Sequence, residues 1–405
     1  MTTLATAKHP VAGVLVRVIV VVLVFSATLN AQRKSTLGTT IDFLGGADDS
    51  PRTSSLLSQT QKMEPFFALY PAITLESLTE RSSFNLTYAY GWQRTQGTQK
   101  FDSRTHTFNA GYTNHFSPRW QASINESFAL TDDVQTFYAL RGVLPTPEGL
   151  SYVFSPVALE QNSTSNSVGG GLNYSVSQKS NLAFSAGYTL RNYPSLGPGL
   201  SDQQNANASV TYTRKTSERT SWNFGYTGSL YTFSEFEDST SNSGSIGMSS
   251  QFAKDTTFAW SIGISQSRSR QSSRDFAGYL VSAGLQRTIK GNSFYLNVSQ
   301  NNSPTGLGGL SQSRQASLGF SRSVGRKVNI FANGSYFDGE GILDNPFDTR
   351  GASATANVGF PLGRKLSLQV GGQYQRYMEP VIYRFTQKRL FVSLRFTEPN
   401  LWRSR

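Results

Sequence analysis

Two histidines of the sequence could take part in acid–base or metal chemistry. His106 and His115 lie nine residues apart, His9 falls in an apolar N-terminal segment, and the chain contains no cysteine. On one extended strand, a rise of about 3.3 Å per residue would separate His106 and His115 by roughly 30 Å. Side chains that far apart cannot share an ion or a catalytic site. We therefore expect no metal ion and no cofactor.

A nucleophile and a base could still meet beside His106. Asp102 and Ser103 lie close to it in sequence, and hydrolytic catalysis requires a base next to a nucleophile. A histidine at an interface explains the same residues without such geometric demands. The sequence favours a protein that is not an enzyme, and a hydrolase ranks as the last alternative.

The elements that would position these side chains alternate with period two. Ala206, Ala208, Val210 and Tyr212 share one parity, and polar residues fill the other. After a charged turn the alternation resumes from Trp222. Two such segments joined by a short polar turn predict an antiparallel hairpin. One face is aromatic and the other carries Ser, Thr, Asn and Gly, as in a transmembrane β-barrel.

The N-terminus carries the single long apolar run of the chain. Residues 11–27 are apolar apart from Arg17 and Ser26, with Lys8 before them and small residues near Ala31. This pattern predicts a secretory signal peptide over residues 1–31, and an uncleaved anchor is the alternative.

Short turns between strands recur along the remaining chain, with spacings of 37, 61, 39, 37, 36, 35 and 38 residues. One repeat equals a hairpin plus a longer connection. The pattern predicts an all-β, up-and-down antiparallel barrel of about 18 strands over residues 32–396, and a short periplasmic tail over 397–405. Sixteen strands is the alternative, because the first segment, residues 35–46, is short and weak.

Two residues interrupt the alternation. Glu126 shares the parity of Trp120, Ile124 and Phe128, which would direct a carboxylate toward lipid. We expect a β-bulge there that reverses the parity. Pro71 lies inside another strand and fits best at a bulge or a strand start.

The longest connection, residues 131–162, is a candidate constriction. Long loops of such barrels either fold into the lumen or stand outside as a lid. Aromatic and charged side chains that could narrow the pore are Phe137, Tyr138, Arg141 and Glu148. Both placements of the loop remain open at this point.

The formal charge of +12 raises the question of an anionic partner. The basic residues gather in turns and loops, and no basic helix or stacking motif accompanies them. Attraction to anionic lipid headgroups explains this better than binding to nucleic acid, and simple solvation of the turns explains single residues equally well.

Two segments resemble a known class of protein. Tyr70-Pro71-Ala72-Ile73-Thr74-Leu75 leads into Arg81-Ser82-Ser83-Phe84-Asn85-Leu86, and the final strand alternates up to Phe396. The chain resembles Gram-negative outer-membrane β-barrels, and more loosely the β-barrel porins associated with exopolysaccharide export loci. The resemblance implies the cell outer membrane, contact with lipid and lipopolysaccharide, and insertion by the barrel assembly machinery.

The functional expectation is a porin-like channel for small hydrophilic solutes or for saccharide export, as a monomer or a homotrimer. Eighteen strands enclose a lumen wide enough for water. The alternative is a non-conducting structural barrel whose extracellular loops bind polysaccharide or a partner.

Overall fold

The structure, a computed structural model, describes residues 34–49, 63–96, 101–131, 163–193, 201–271, 274–304, 309–325, 327–343, 348–379 and 383–404. Within these ranges no helix is long and apolar enough to cross a membrane. The predicted signal peptide, residues 1–31, lies outside them.

The described residues form eighteen strands, in agreement with the sequence-based count. They are β1 (Lys34–Asp48), β2 (Glu64–Leu78), β3 (Ser82–Thr95), β4 (Phe101–Ser117), β5 (Trp120–Thr131), β6 (Ser163–Ser177), β7 (Ser180–Asn192), β8 (Gln203–Lys215), β9 (Thr220–Phe233), β10 (Ser239–Ala253), β11 (Thr256–Ser269), β12 (Asp275–Ile289), β13 (Asn292–Pro304), β14 (Leu310–Val324), β15 (Val328–Ile342), β16 (Thr349–Pro361), β17 (Leu366–Glu379) and β18 (Tyr383–Ser404).

Each strand pairs antiparallel with its neighbours in sequence, and β1 pairs with β18. The sheet is therefore closed into a barrel. Both terminal strand ends lie at the short-turn end, the end of the barrel that carries the eight tight connections. The other, long-loop end carries nine connections, eight of which have five residues or more. The predicted all-β, up-and-down antiparallel barrel is confirmed.

The exterior of the barrel is apolar, as a surface against lipid must be. Ile262 is 52% exposed, Ile264 75% and Leu318 62%. Exposed tyrosines form a girdle toward the long-loop end: Tyr88, Tyr188, Tyr226, Tyr279, Tyr336 and Tyr374. At the short-turn end Trp222 meets Trp260 edge to face at 5.9 Å, and Trp120 stacks on Tyr174 at 4.4 Å. These are the two aromatic levels of a membrane-spanning barrel.

The bulge expected at Glu126 is absent. The pairing of β5 with β6 is continuous from Trp120 to Thr131, and the only shift against β4 lies at the turn, between His115 and Ser117. Glu126 stays on the exterior parity, opposite Ala110 and Val168. A bulge would have turned every later residue of β5 to the wrong face, so the apolar alternation of the whole strand outweighs one carboxylate.

Pro71 lies within β2 without a shift of register. The β2–β3 ladder is interrupted between the pairs Leu69–Trp92 and Ala72–Ala89 and resumes in the same alignment. A proline nitrogen cannot donate a hydrogen bond, which accounts for the gap in the ladder.

The last strand is longer than expected. β18 continues past Phe396 to Ser404 and stays paired with β1, where Thr36 lies opposite Arg403. Residues 397–404, expected as a tail, are therefore part of the barrel wall. The cause is β1, whose full 15 residues offer a partner to the longer β18.

Candidate functional site

The interior wall of the barrel is polar and largely uncharged. Most residues that alternate with the apolar exterior are Ser, Thr, Asn, Gln and Gly, and many of them bond across strands. Ser185 Oγ lies 2.6 Å from Ser209 Oγ, and Ser261 Oγ lies 2.7 Å from Ser282 Oγ. Such a wall offers hydrogen bonds to water and to neutral solutes without fixing one charge sign.

The interior side chains are exposed in the short-turn half of the barrel and buried in the long-loop half. Interior side chains in the first half are exposed, among them Asn85, Asn125, Ser185, Asn223, Ser282, Gln286 and Asn297. Those in the second half are buried, among them Gln93, Thr105, Thr107, Thr131, Gln203, Ser241, Ser265, Ser267, Ser311 and Thr349. The lumen is therefore narrowest toward the long-loop end.

Part of this narrowing comes from the strands themselves. The ladder between β12 and β13 ends at the pair Val281–Gln300, although β12 continues to Asp275 and β13 to Pro304. Beyond this point the outer ends of β13, β14 and β15 fold into the lumen. We call residues 300–304, 310–314 and 338–342 the inward flap.

Hydrogen bonds tie the inward flap to the interior face of β11. Asn302 has the parity of the exterior residues Leu296 and Val298, yet its Nδ2 donates to Ser265 Oγ at 3.0 Å and to Ser267 Oγ at 3.3 Å. Both serines are buried on the interior face of β11. The face of the flap that has exterior parity therefore lies against the lumen wall.

An apolar cluster also holds the inward flap against the interior wall. Leu310 and Ile342 on the inward flap pack with Tyr231 and Phe233 of β9, and Phe276 of β12 joins them. Leu310 is only 1% exposed. These residues would have no apolar partner inside a uniformly polar channel, so the cluster marks a specific constriction.

Charged side chains of the interior concentrate on the strands where the barrel closes. Arg389 of β18 binds Asp48 of β1 through Nε at 3.0 Å and through Nη2, and both side chains are almost fully buried. Its guanidinium lies 4.7 Å from the centre of the Phe66 ring. Nearer the short-turn end, Arg395 binds Asp42 at 2.6 Å and 3.0 Å. This seam gives one side of the lumen a fixed pattern of paired charges.

The residues predicted from sequence to narrow the pore, Phe137, Tyr138, Arg141 and Glu148, lie outside the described residues. Sequence reasoning missed the inward flap. A signal was present: the exterior parity of β13 changes from Phe294, Leu296 and Val298 to Gln300 and Asn302. That change marks where the strand leaves the lipid-facing surface.

The histidines lie away from this interior. His106 has exterior parity, and its Nδ1 is hydrogen-bonded to Tyr88 Oη at 2.9 Å. The centre of its ring lies 5.0 Å from that of Tyr90. His115 is exposed beside the short turn to β5. Among the described residues no three His, Cys, Asp or Glu side chains are grouped so that they could hold a metal ion.

Comparisons with known proteins give matches in structure alone. No family model matches the sequence, and no curated protein matches it. The chain is similar to the solved structure of Pseudomonas aeruginosa OccK7 (OpdD) at 11% identity, a TM-score of 0.48 and coverage of 91% of this chain and 100% of that one.

Two further Pseudomonas aeruginosa structures are similar. OccK2 (OpdF) in complex with glucuronate has 13% identity, a TM-score of 0.47 and coverage of 90% and 98% of the two chains. The siderophore receptor PirA has 9% identity, a TM-score of 0.44 and coverage of 90% and 80%.

Proposed function

We propose that the protein is a porin-like channel of the cell outer membrane through which small hydrophilic solutes pass down their gradients. The observation that carries this proposal is the exposed polar interior of an 18-stranded barrel. Barrels of eight strands are filled by their own side chains, whereas 16 to 18 strands leave an aqueous channel.

The chemistry of the wall favours neutral polar solutes such as small saccharides. Hydroxyl and amide groups line the exposed half, and the interior ion pairs Asp48–Arg389 and Asp42–Arg395 cancel their own charges. A wall of this kind replaces part of the hydration of a sugar without selecting strongly for an ion. Export of saccharide is the form of this proposal suggested by the resemblance to exopolysaccharide-associated porins.

The orientation follows from the connections. In bacterial barrels short turns face the periplasm and long loops face outward, so the narrow half of the lumen lies at the cell surface. In this arrangement residues 1–31 act as a cleaved signal peptide, and the exterior girdles contact lipid and lipopolysaccharide. Insertion by the barrel assembly machinery and assembly as a homotrimer belong to the same proposal.

A second candidate function is favoured by the buried long-loop half of the interior. If the narrowing is permanent, the barrel acts as a non-conducting scaffold whose outer loops bind a polysaccharide or another partner. The two candidates differ in whether solute crosses the wall of a vesicle.

Swelling of proteoliposomes in sugars of increasing size tests the proposal. We expect vesicles with the protein to swell in a small monosaccharide and progressively less in larger oligosaccharides, while protein-free vesicles do not swell. Vesicles that contain correctly folded protein and exclude every sugar tested would contradict the channel and favour the binding scaffold.

A further inference from the structure

The seam between β12 and β13 carries the shortest ladder next to the inward flap. It has nine residue pairs, whereas β11–β12 and β13–β14 on either side have thirteen each. Residues 275–280 of β12 pair with β11 on one side, and none of their pairs with β13 is present in the described part of the chain. The wall is thus incomplete where the flap leaves it.

The unused part of the ladder is compatible with pairing. Continued in the same register, it would place Tyr279 opposite Asn302 and Ala277 opposite Pro304, given the last pair Val281–Gln300. Only Pro304 lacks the N–H that a ladder requires, and it would stand at the outermost pair. The sequence therefore permits these strand ends to join as well as to separate.

Side-chain contacts take the place of the missing ladder in the separated arrangement. Gln300 Nε2 donates to the backbone carbonyl of Tyr279 at 3.0 Å, a group at the exposed edge of the seam. Asn302 donates to Ser265 and Ser267, and Leu310 and Ile342 enter the apolar cluster. The same strand ends thus have two alternative sets of partners.

A strained residue lies at the end of the flap. Leu343 directly follows β15 and has a φ of 61°, a left-handed conformation that is unfavourable for a leucine. It is held there by packing against the same apolar cluster. Release of the cluster would also release this strain.

We propose that the inward flap is a gate of the channel, which closes by leaving β12 and opens by pairing with it again. The inference rests on the proposed channel function and concerns its regulation. In the open state Leu310 and Ile342 leave the lumen, and Asn302 and Gln312 return to the exterior at the level of the Tyr279 girdle. Opening therefore exchanges the side-chain and apolar contacts of the flap for backbone pairs with β12.

Engineered disulfide cross-links can hold each state. The chain has no cysteine of its own, so the introduced cysteines can pair only with each other. The variant Ser267→Cys/Asn302→Cys joins side chains that touch in the closed state. The variant Tyr279→Cys/Asn302→Cys joins positions that would be opposite only after re-pairing. Ser282→Cys/Ser299→Cys, within the permanent ladder, is the matched control.

We expect both test pairs to cross-link in the folded, membrane-inserted protein, as read by gel mobility. In planar bilayers the oxidised Ser267→Cys/Asn302→Cys variant should lose current and recover it on reduction. The oxidised Tyr279→Cys/Asn302→Cys variant should stay in its highest conducting level, and the control should not respond to oxidant.

Two results would overturn the gate. One is failure of the Tyr279→Cys/Asn302→Cys pair to cross-link under conditions that oxidise the control fully, since the flap would then be fixed. The other is equal current through the two oxidised test variants. If the parent and all reduced variants carry no current, the proposed channel function fails, while cross-linking of both test pairs would still establish the movement.

Discussion

The two faces of a strand present single residues to opposite environments. Leu86 of β3 lies between Leu75 and Ala110 on the exterior parity, while its neighbour Asn85 is exposed to the interior. The cost of a charge must therefore differ sharply between adjacent positions.

The variant Leu86→Arg should lower the free energy of unfolding by about 2–4 kcal/mol, because it places a guanidinium in the hydrocarbon region. Asn85→Arg, which projects into water, should change it by less than about 1 kcal/mol. Urea titration in lipid vesicles, followed by tryptophan fluorescence, measures both. Equal destabilisation would mean that the assigned faces of β3 are wrong.

The buried ion pair of the closing seam has a partly exposed counterpart on the same two strands. Asp48 and Arg389 are 1% and 0% exposed, whereas Asp42 and Arg395 are 18% and 19% exposed. Both arginines bind their carboxylates through two nitrogens. The pairs differ mainly in their access to water.

Replacing Asp48 by Asn leaves the buried Arg389 cation without a counter-charge and should cost about 3–5 kcal/mol of stability. Asp42→Asn should cost clearly less, because water can solvate Arg395. The same urea titration compares the variants. If Asp42→Asn proves as costly as Asp48→Asn, burial does not determine the strength of these pairs.

Which residue faces lipid could be predicted from sequence, and which residue narrows the lumen could not. The alternation of Phe84, Leu86 and Tyr88 with polar residues records the environment of each side chain directly. Asn302 meets Ser265 across 37 positions of sequence. The polar residues after Val298 mark where β13 leaves the lipid-facing surface, but they do not encode which strand it meets. The bulge predicted at Glu126 was wrong for a related reason. The alternation of the whole strand determines its register, and one carboxylate does not change it.

At the scale of elements, β1 and β18, which close the barrel, approach each other closely at Gly46. A Cβ on Gly46 would meet the backbone of Leu390, and would lie 2.9 Å from Phe391 Cα. A Cβ on Gly45, which has exterior parity, would be no closer than 3.9 Å to any atom of the neighbouring strands. Of these two positions, only 46 requires a glycine, because the backbones of two strands approach each other closely there.

Gly46→Ala should destabilise the barrel by about 1–3 kcal/mol, because the neighbouring strand must move. Gly45→Ala should be neutral or should stabilise by about 0.5 kcal/mol through the loss of chain flexibility in the unfolded state. Heat modifiability on gels gives a rapid comparison, and urea titration gives the energies. A neutral Gly46→Ala variant would mean that β1 and β18 are farther apart than described.

Most strands could be predicted from sequence because each carries its own alternation and turn. The number of strands and the bounds of β6, β12 and β16 follow from these local signals. The extension of β18 depends on the length of its partner β1, which lies almost the whole chain away. The early end of the β12–β13 ladder depends on contacts of β13 with β11, and its local signal is the change from apolar residues to Gln300 and Asn302 on the exterior parity.

For the whole molecule, the central question is whether the lumen conducts. The short-turn half is lined with exposed polar side chains, and the long-loop half is narrowed by buried ones, including the inward flap. A permanent closure and a gated channel share this description. A gated channel passes ions when it is open, and a permanently closed barrel passes none.

Single-channel recording of the purified protein in planar bilayers tests this most directly. The account predicts discrete current steps that increase in proportion to the conductivity of the bathing electrolyte. It also predicts a weak ion preference, since Asp48–Arg389 and Asp42–Arg395 cancel their own charges. Absence of any steps from protein shown to be folded and inserted, including the oxidised Tyr279→Cys/Asn302→Cys variant, would contradict a channel.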